Sequence, residues 1–178
     1  MSDKCLIADK IEQWLAGGYT VRWKTVSHAC IGYWICENRL EDRTGNLSGI
    51  FKHGISCIDP SLLAAYTLET INFGTLLKIY AGVIKNDTTC LVSQELQTLS
   101  NGNMPERGDL VFFFEDTSRL FGHIAVATGR KEKGESFVLT FGNGINTKGT
   151  LSRIKEKTIS QVLKETNLKY VQYGEPVW

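Results

Sequence analysis

Apolar residues recur with a helical period at the start of the chain. Ile7, Ile11, Trp14 and Leu15 fall at i, i+4, i+7 and i+8, which predicts a helix over 3–16. Asp3 is placed to cap it, and Gly17-Gly18 to stop it. YTVRWKTV (19–26) alternates as a strand does. SHACIGYWICENRL (27–40) fits either a helix capped by Ser27 or a strand, because its Gly, Tyr, Trp, Ile and Cys suit both. RTGNLSG (43–49) is a turn or loop. Leu62, Leu63, Tyr66, Thr70 and Phe73 mark a helix ending at Gly74, a helical piece follows at 75–84, and 93–100 adds a turn or two.

From Leu110 the character changes. LVFFFE, FGHIAVAT, SFVLTFG and LKYVQY are short strand-like runs separated by turn residues, with a helix over 158–165 before the last. Helices first and an antiparallel sheet afterwards give an α+β fold. With 178 residues, no internal repeat and no linker, residues 1–178 read as a single domain.

Composition narrows the classes of function. Twenty basic against nineteen acidic residues give a net charge of +1, which argues against a nucleic-acid surface. No apolar run is long enough to span a membrane. Asp3, Asp9 and Glu12 interrupt any signal-peptide core, so the expectation is synthesis in the cytoplasm and, for work elsewhere, delivery by other means. Five cysteines are an odd number, which fits thiols with chemical work better than a disulfide framework.

Two of those thiols stand where a helix N-terminus would lower their pKa and hold an oxyanion. Cys57 lies in S-C-I-D-P-S-L-L, with Ser56 and Asp59 spaced as a capping box; a helix beginning at Pro60 would leave Cys57 just before it rather than in its first turn. Cys30 follows Ser27 by three residues, with a cleaner cap and a less certain helix. Cys5, Cys36 and Cys90 have no such setting. His28, Cys30, Cys36, His53 and Cys57 include no C-x-x-C pair, so zinc is disfavoured, and neither a metal nor an organic cofactor is expected. His123 heads the strand FGHIAVAT, on a face it shares with Ala125 and Ala127, and small neighbours there let another element approach. On the next strand Phe137, Leu139, Phe141 and Asn143 share a face, and the Asn143 amide could orient the imidazole.

G-D-L-V-F-F (108–113), then G-H-I-A-V-A-T-G (122–129), then a strand ending in Asn resembles the C-terminal half of the CHAP and NlpC/P60 cysteine amidases. H-G-I-S-C-I-D-P-S-L-L-A-A-Y (53–66) resembles the nucleophile segment of CHAP domains, which favours Cys57; C-I-G-Y-W is similar to the NlpC/P60 Cys-Ser-Gly pattern and keeps Cys30 as the alternative. The resemblance implies a papain-like fold with an amidase core over 53–178 and an N-terminal extension over 1–52 of unassigned role. It implies a peptidoglycan amidase or endopeptidase, with Cys57 as nucleophile, His123 as base and Asn143 as orienting residue. Phage lysins and antibacterial type VI secretion effectors, acting in the periplasm or cell wall, are of this kind; an effector would have a cognate immunity protein as partner. Two departures stand out. Thr140 lies near where CHAP domains often carry Glu, and 47–54 lacks the acids that bind calcium in some of them. Other classes remain: a papain-like protease, deamidase or acyltransferase acting on a host cytosolic target, or a non-enzymatic binding module.

Overall fold

The computed structural model describes residues 3–17, 20–26, 31–36, 61, 64–65, 68–72, 75, 91–100, 102–115, 121–141 and 151–178. Among them are helices α1 (Asp3–Gly17) and α2 (Ile159–Thr166). The strands are β1 (Thr20–Val26), β2 (Ile31–Cys36), β3 (Gln97–Thr98), β4 (Leu110–Phe114), β5 (Phe121–Glu132), β6 (Glu135–Phe141), β7 (Leu151–Thr158) and β8 (Tyr170–Gly174). They form an antiparallel sheet in the order β2-β1-β7-β6-β5-β4-β8-β3. The class is therefore α+β. Six strands, β7 to β3, make the main body; β1 joins them only through the first three residues of β7.

Both faces of the sheet are apolar. Val111, Phe113, Ala125, Ala127 and Val138 form one buried cluster with Tyr173 and with Ile159 and Val162 of α2. The alternate positions Phe112, Ile124, Val126, Leu139 and Ile154 are buried too, so the centre of the sheet at β4, β5 and β6 is covered on both faces. A capping box starts α2: Thr158 Oγ1 accepts from the Gln161 N–H (3.2 Å), and Gln161 Oε1 accepts from the Thr158 N–H (2.8 Å). Asn167, in the left-handed region (φ 59°), ends it. Lys133 and Gly134, both at positive φ, make the two-residue turn between β5 and β6.

Helix α1 lies against β5 and β7, with Ile7, Ala8, Ile11 and Trp14 buried. Its docking explains the Gly-Asp step before β4. Gly108 has φ 90°, and a Cβ there would lie 2.4 Å from the Lys4 carbonyl oxygen, so only glycine lets the two backbones meet. Asp109 is buried; it accepts from Lys4 Nζ (2.8 Å) and, through its other oxygen, from the Glu106 N–H (2.8 Å). Arg107 makes a two-pronged contact with Glu12 (2.8 and 2.7 Å) and a third bond to Asp9 (2.5 Å). The motif that suggested a family thus has a structural duty here: it clamps the first helix to the sheet.

Two sequence expectations change, one ambiguity resolves and one strand is added. The ambiguous 27–40 segment contains strand β2, paired with β1 from Val26↔Ile31 to Val21↔Cys36. The helix marked over 62–73 stops earlier: Glu69 is left-handed (φ 63°), and the Thr70 N–H bonds back to the Ala65 carbonyl, the six-to-one closure of a helix end. Residues 93–100 hold the short strand β3, which pairs with β8, in place of helical turns. Strand β7 carries no strand-like apolar pattern over its described side chains, 154–158, where Ile154 alone is buried and charged residues follow it.

Candidate functional site

His123 sits near the start of β5, opposite Phe113 of β4. The register Val126↔Leu139 and Ala127↔Val138 places the even-numbered residues of β6 on the face of His123, Ala125 and Ala127. Thr140 is one of them, and its hydroxyl is hydrogen-bonded to His123 Nε2. The Phe113 ring lies on the other side, 5.8 Å away between centroids and tilted by 52°. The imidazole is thus neither open to bulk solvent nor enclosed by carbon alone.

Charge reaches the ring from β7 and α2. Lys157 pairs with Val138 in the register, so it shares this face, and its side chain is only 11% exposed. Its ammonium makes an ion pair with Glu165 near the end of α2. Lys155, opposite Thr140, is exposed on the same side. Burial, and then the positive charge of Lys157, push the His123 pKa down from 6.5 to about 4. The imidazole is therefore uncharged at neutral pH, and it is a weaker base than a free imidazole.

This shift carries a stability consequence. Between pH 6.5 and 4 the unfolded chain binds a proton at His123 that the folded chain does not. The contribution is intact above pH 6.5, declines as the pH falls through that window and is flat below it, at up to about 1.4 kcal/mol per pH unit. Urea unfolding at pH 7 and 4.5 should show His123→Gln losing about 2 kcal/mol less than wild type on acidification. Equal losses would mean that the ring protonates freely inside the fold.

Cys57, Cys30 and Asn143 lie outside the described residues, as do the side chain of Cys36 and all of Cys90. Two nearby facts bear on the choice of thiol. Four residues after Cys57, Ser61 is helical and fully buried, as are Ala64 and Ala65 at i+3 and i+4. Three small side chains on one helix face allow close packing, and Trp178 Nε1 donates to Ser61 Oγ (3.1 Å). By contrast, β2 begins at Ile31, so the helix that would have placed Cys30 in its first turn is replaced by a strand. Cys5, half-buried in α1, has its Sγ 3.9 Å from the Arg107 carbonyl and belongs to the helix docking.

Sequence reasoning named Asn143 as the orienting residue and passed over Thr140. The available signal was Thr140 itself, the one polar side chain within F-V-L-T-F (137–141). Alternation within β6 cannot say which of its faces meets the histidine; only the pairing register does.

At the opposite end of β4 a polar cleft of about 220 Å³ is lined by residues including Lys4, Gln97, Asn103, Asp109, Tyr173 and Glu175. Tyr173 bonds to Asn103 (2.5 Å) and Gln97 (3.3 Å), and Lys4 is held by Asp109 and Glu106, so these groups serve each other. Among the described residues no group of three or more His, Cys, Asp or Glu is arranged to hold a metal ion, and no helix is long and apolar enough to cross a membrane. No family model matches the chain, and no curated protein or solved structure shows significant similarity to it.

Proposed function

We propose that the chain is a cysteine-dependent amide hydrolase of papain-like arrangement, with Cys57 as nucleophile and His123 as general base. The observation that carries this reading is the imidazole itself, a half-buried ring held at Nε2 by the Thr140 hydroxyl on the strand face it shares with Ala125 and Ala127. Ser61, Ala64 and Ala65, helical and buried shortly after Cys57, support a helix in this segment.

In this mechanism His123 takes the Cys57 thiol proton as sulfur attacks the amide carbonyl carbon. The backbone N–H of Cys57 helps to hold the oxyanion. The imidazolium then protonates the departing amine nitrogen, the C–N bond breaks and a thioester remains. Water, deprotonated by His123, cleaves the thioester and restores the thiol. The substrate proposed is a peptide bond in peptidoglycan, on the resemblance of residues 53–66 and 108–129 to cell-wall amidases. The setting would be that of a lysin, or of a secreted antibacterial effector neutralised by an immunity protein.

Digestion of purified peptidoglycan, with mass spectrometry of the products, tests the substrate. New amine ends at a single bond type are expected. An intact cell wall, alongside a modified protein in a eukaryotic cytosolic extract, would move the activity to a host target.

A further inference from the structure

We propose that residues 175–178 form a strap that latches the helix of Ser61, Ala64 and Ala65 onto the sheet domain, and that this latch opens while the sheet stays folded. The inference is independent of the activity proposed above. Past the end of β8 the chain runs antiparallel to 91–93. The Ser93 N–H donates to the Glu175 carbonyl (2.9 Å), and the Val177 N–H donates to the Leu91 carbonyl (3.1 Å). Val92 and Pro176 face each other between those two bonds as a non-hydrogen-bonded pair, so the missing N–H of proline costs nothing there. Leu91, Val92 and Pro176 are buried, which seats the strap. It then brings Trp178 to the helix, where the indole Nε1 donates to Ser61 Oγ (3.1 Å). At the other end Glu175 lies 3.7 Å from Lys4 Nζ of α1.

The balance of contacts makes this the part that yields first. Strand β8 pairs with β4 through five residues, from Leu110↔Gly174 to Phe114↔Tyr170. The strap has the two backbone bonds to 91–93, and the Glu175 side chain is half-exposed, so its ion pair with Lys4 adds little. The buried helical residues it holds are Ser61, Ala64 and Ala65, whose small side chains contribute little apolar area. The bond from the indole therefore weighs heavily: when Trp178 leaves, a fully buried hydroxyl loses a donor. Few apolar contacts and a short hydrogen-bonded edge are the marks of a unit that opens locally.

Native-state hydrogen exchange of the full chain at pH 7 tests the latch. It is read at the Leu68 and Thr70 amides, which donate to the Ala64 and Ala65 carbonyls. Trp178→Phe keeps an aromatic ring and removes the N–H. It should speed exchange at both amides on the order of 10-fold and leave the amides of Val111 and Val126, in β4 and β5, unchanged. Adding Ser61→Ala to Trp178→Phe should give no further acceleration, because the same bond is already lost. Unchanged rates at Leu68 and Thr70 in Trp178→Phe overturn the proposal, as does an equal acceleration at Val111 and Val126. Should the variant fail to fold, wild type decides. Leu68 and Thr70 should then exchange faster than Val111 and Val126, at rates little altered by low urea; a common rate and a common urea dependence at all four overturn the latch. None of these readouts requires turnover, so a protein that hydrolyses nothing leaves the latch standing.

Discussion

Cys57→Ala should abolish amide hydrolysis, a loss on the order of 10⁴-fold or more, while the protein unfolds at the same urea concentration as wild type. The size follows from the role. Without the sulfur no acyl intermediate forms, and what remains is whatever binding and the oxyanion donors give to direct attack by water. His123→Ala should cost a similar factor, and the double variant little more than either single one, because base and nucleophile act as a unit. Cys30→Ala should retain activity within about twofold, since the residues after it form strand β2. Loss in Cys30→Ala with retention in Cys57→Ala would transfer the nucleophile to Cys30.

The largest effect on stability is expected at Gly108. Gly108→Ala should lower the unfolding free energy by about 4 kcal/mol. Part of this is the positive φ of 90°, which a side chain resists by about 1–2 kcal/mol. The rest arises because the new Cβ would lie 2.4 Å from the Lys4 carbonyl oxygen and 2.6 Å from its carbon. Those are backbone atoms, so α1 must shift, taking Ile7, Ile11 and Trp14 with it and straining the Lys4–Asp109 pair. Gly102 is a built-in control. It has nearly the same φ (89°) with nothing within 4 Å of an added Cβ. Gly102→Ala should therefore cost only the conformational part, about 1–2 kcal/mol. Chemical denaturation of the two variants separates close contact from backbone strain; equal losses would show that the approach of α1 to Gly108 is not tight.

Much of the architecture is written in local periodicity. The helical spacing of Ile7, Ile11 and Trp14 matches the buried stripe of α1, and T-I-S-Q with Val162 matches the capped, half-covered α2. Short apolar runs mark β4, β5, β6 and β8 because their side chains enter a core on at least one face. Strand β7 escapes this test: Ile154 is followed by the charged run K-E-K (155–157), and pairing with β6 holds it as a strand. The early helix stop at Glu69 is likewise hidden, since a left-handed residue other than Gly or Asn leaves no mark in composition.

The site divides in the same way. His123 stands out locally, as a polar residue opening a small-residue strand. Its partner does not, because Thr140 meets it only through the β5–β6 register, a property of two strands together. The low pKa of the ring is still less visible, since Lys157 reaches it from a strand whose placement depends on the whole sheet. Gly108 and Asp109 illustrate the converse. They are conspicuous as a motif, and their duty to α1 becomes apparent only once Lys4, more than a hundred residues earlier, is brought against them.

The central claim is spatial, that the Cys57 sulfur lies beside the His123 ring. Dibromoacetone, a short reagent with two electrophilic carbons, tests it directly in the folded protein at neutral pH. It alkylates a thiol and then bridges to an imidazole within its reach. Peptide mapping should find one intramolecular bridge, from Cys57 to the imidazole of His123, absent in Cys57→Ala and in unfolded protein. A bridge from His123 to any other cysteine, or complete alkylation of Cys57 with His123 left unmodified, would contradict the account.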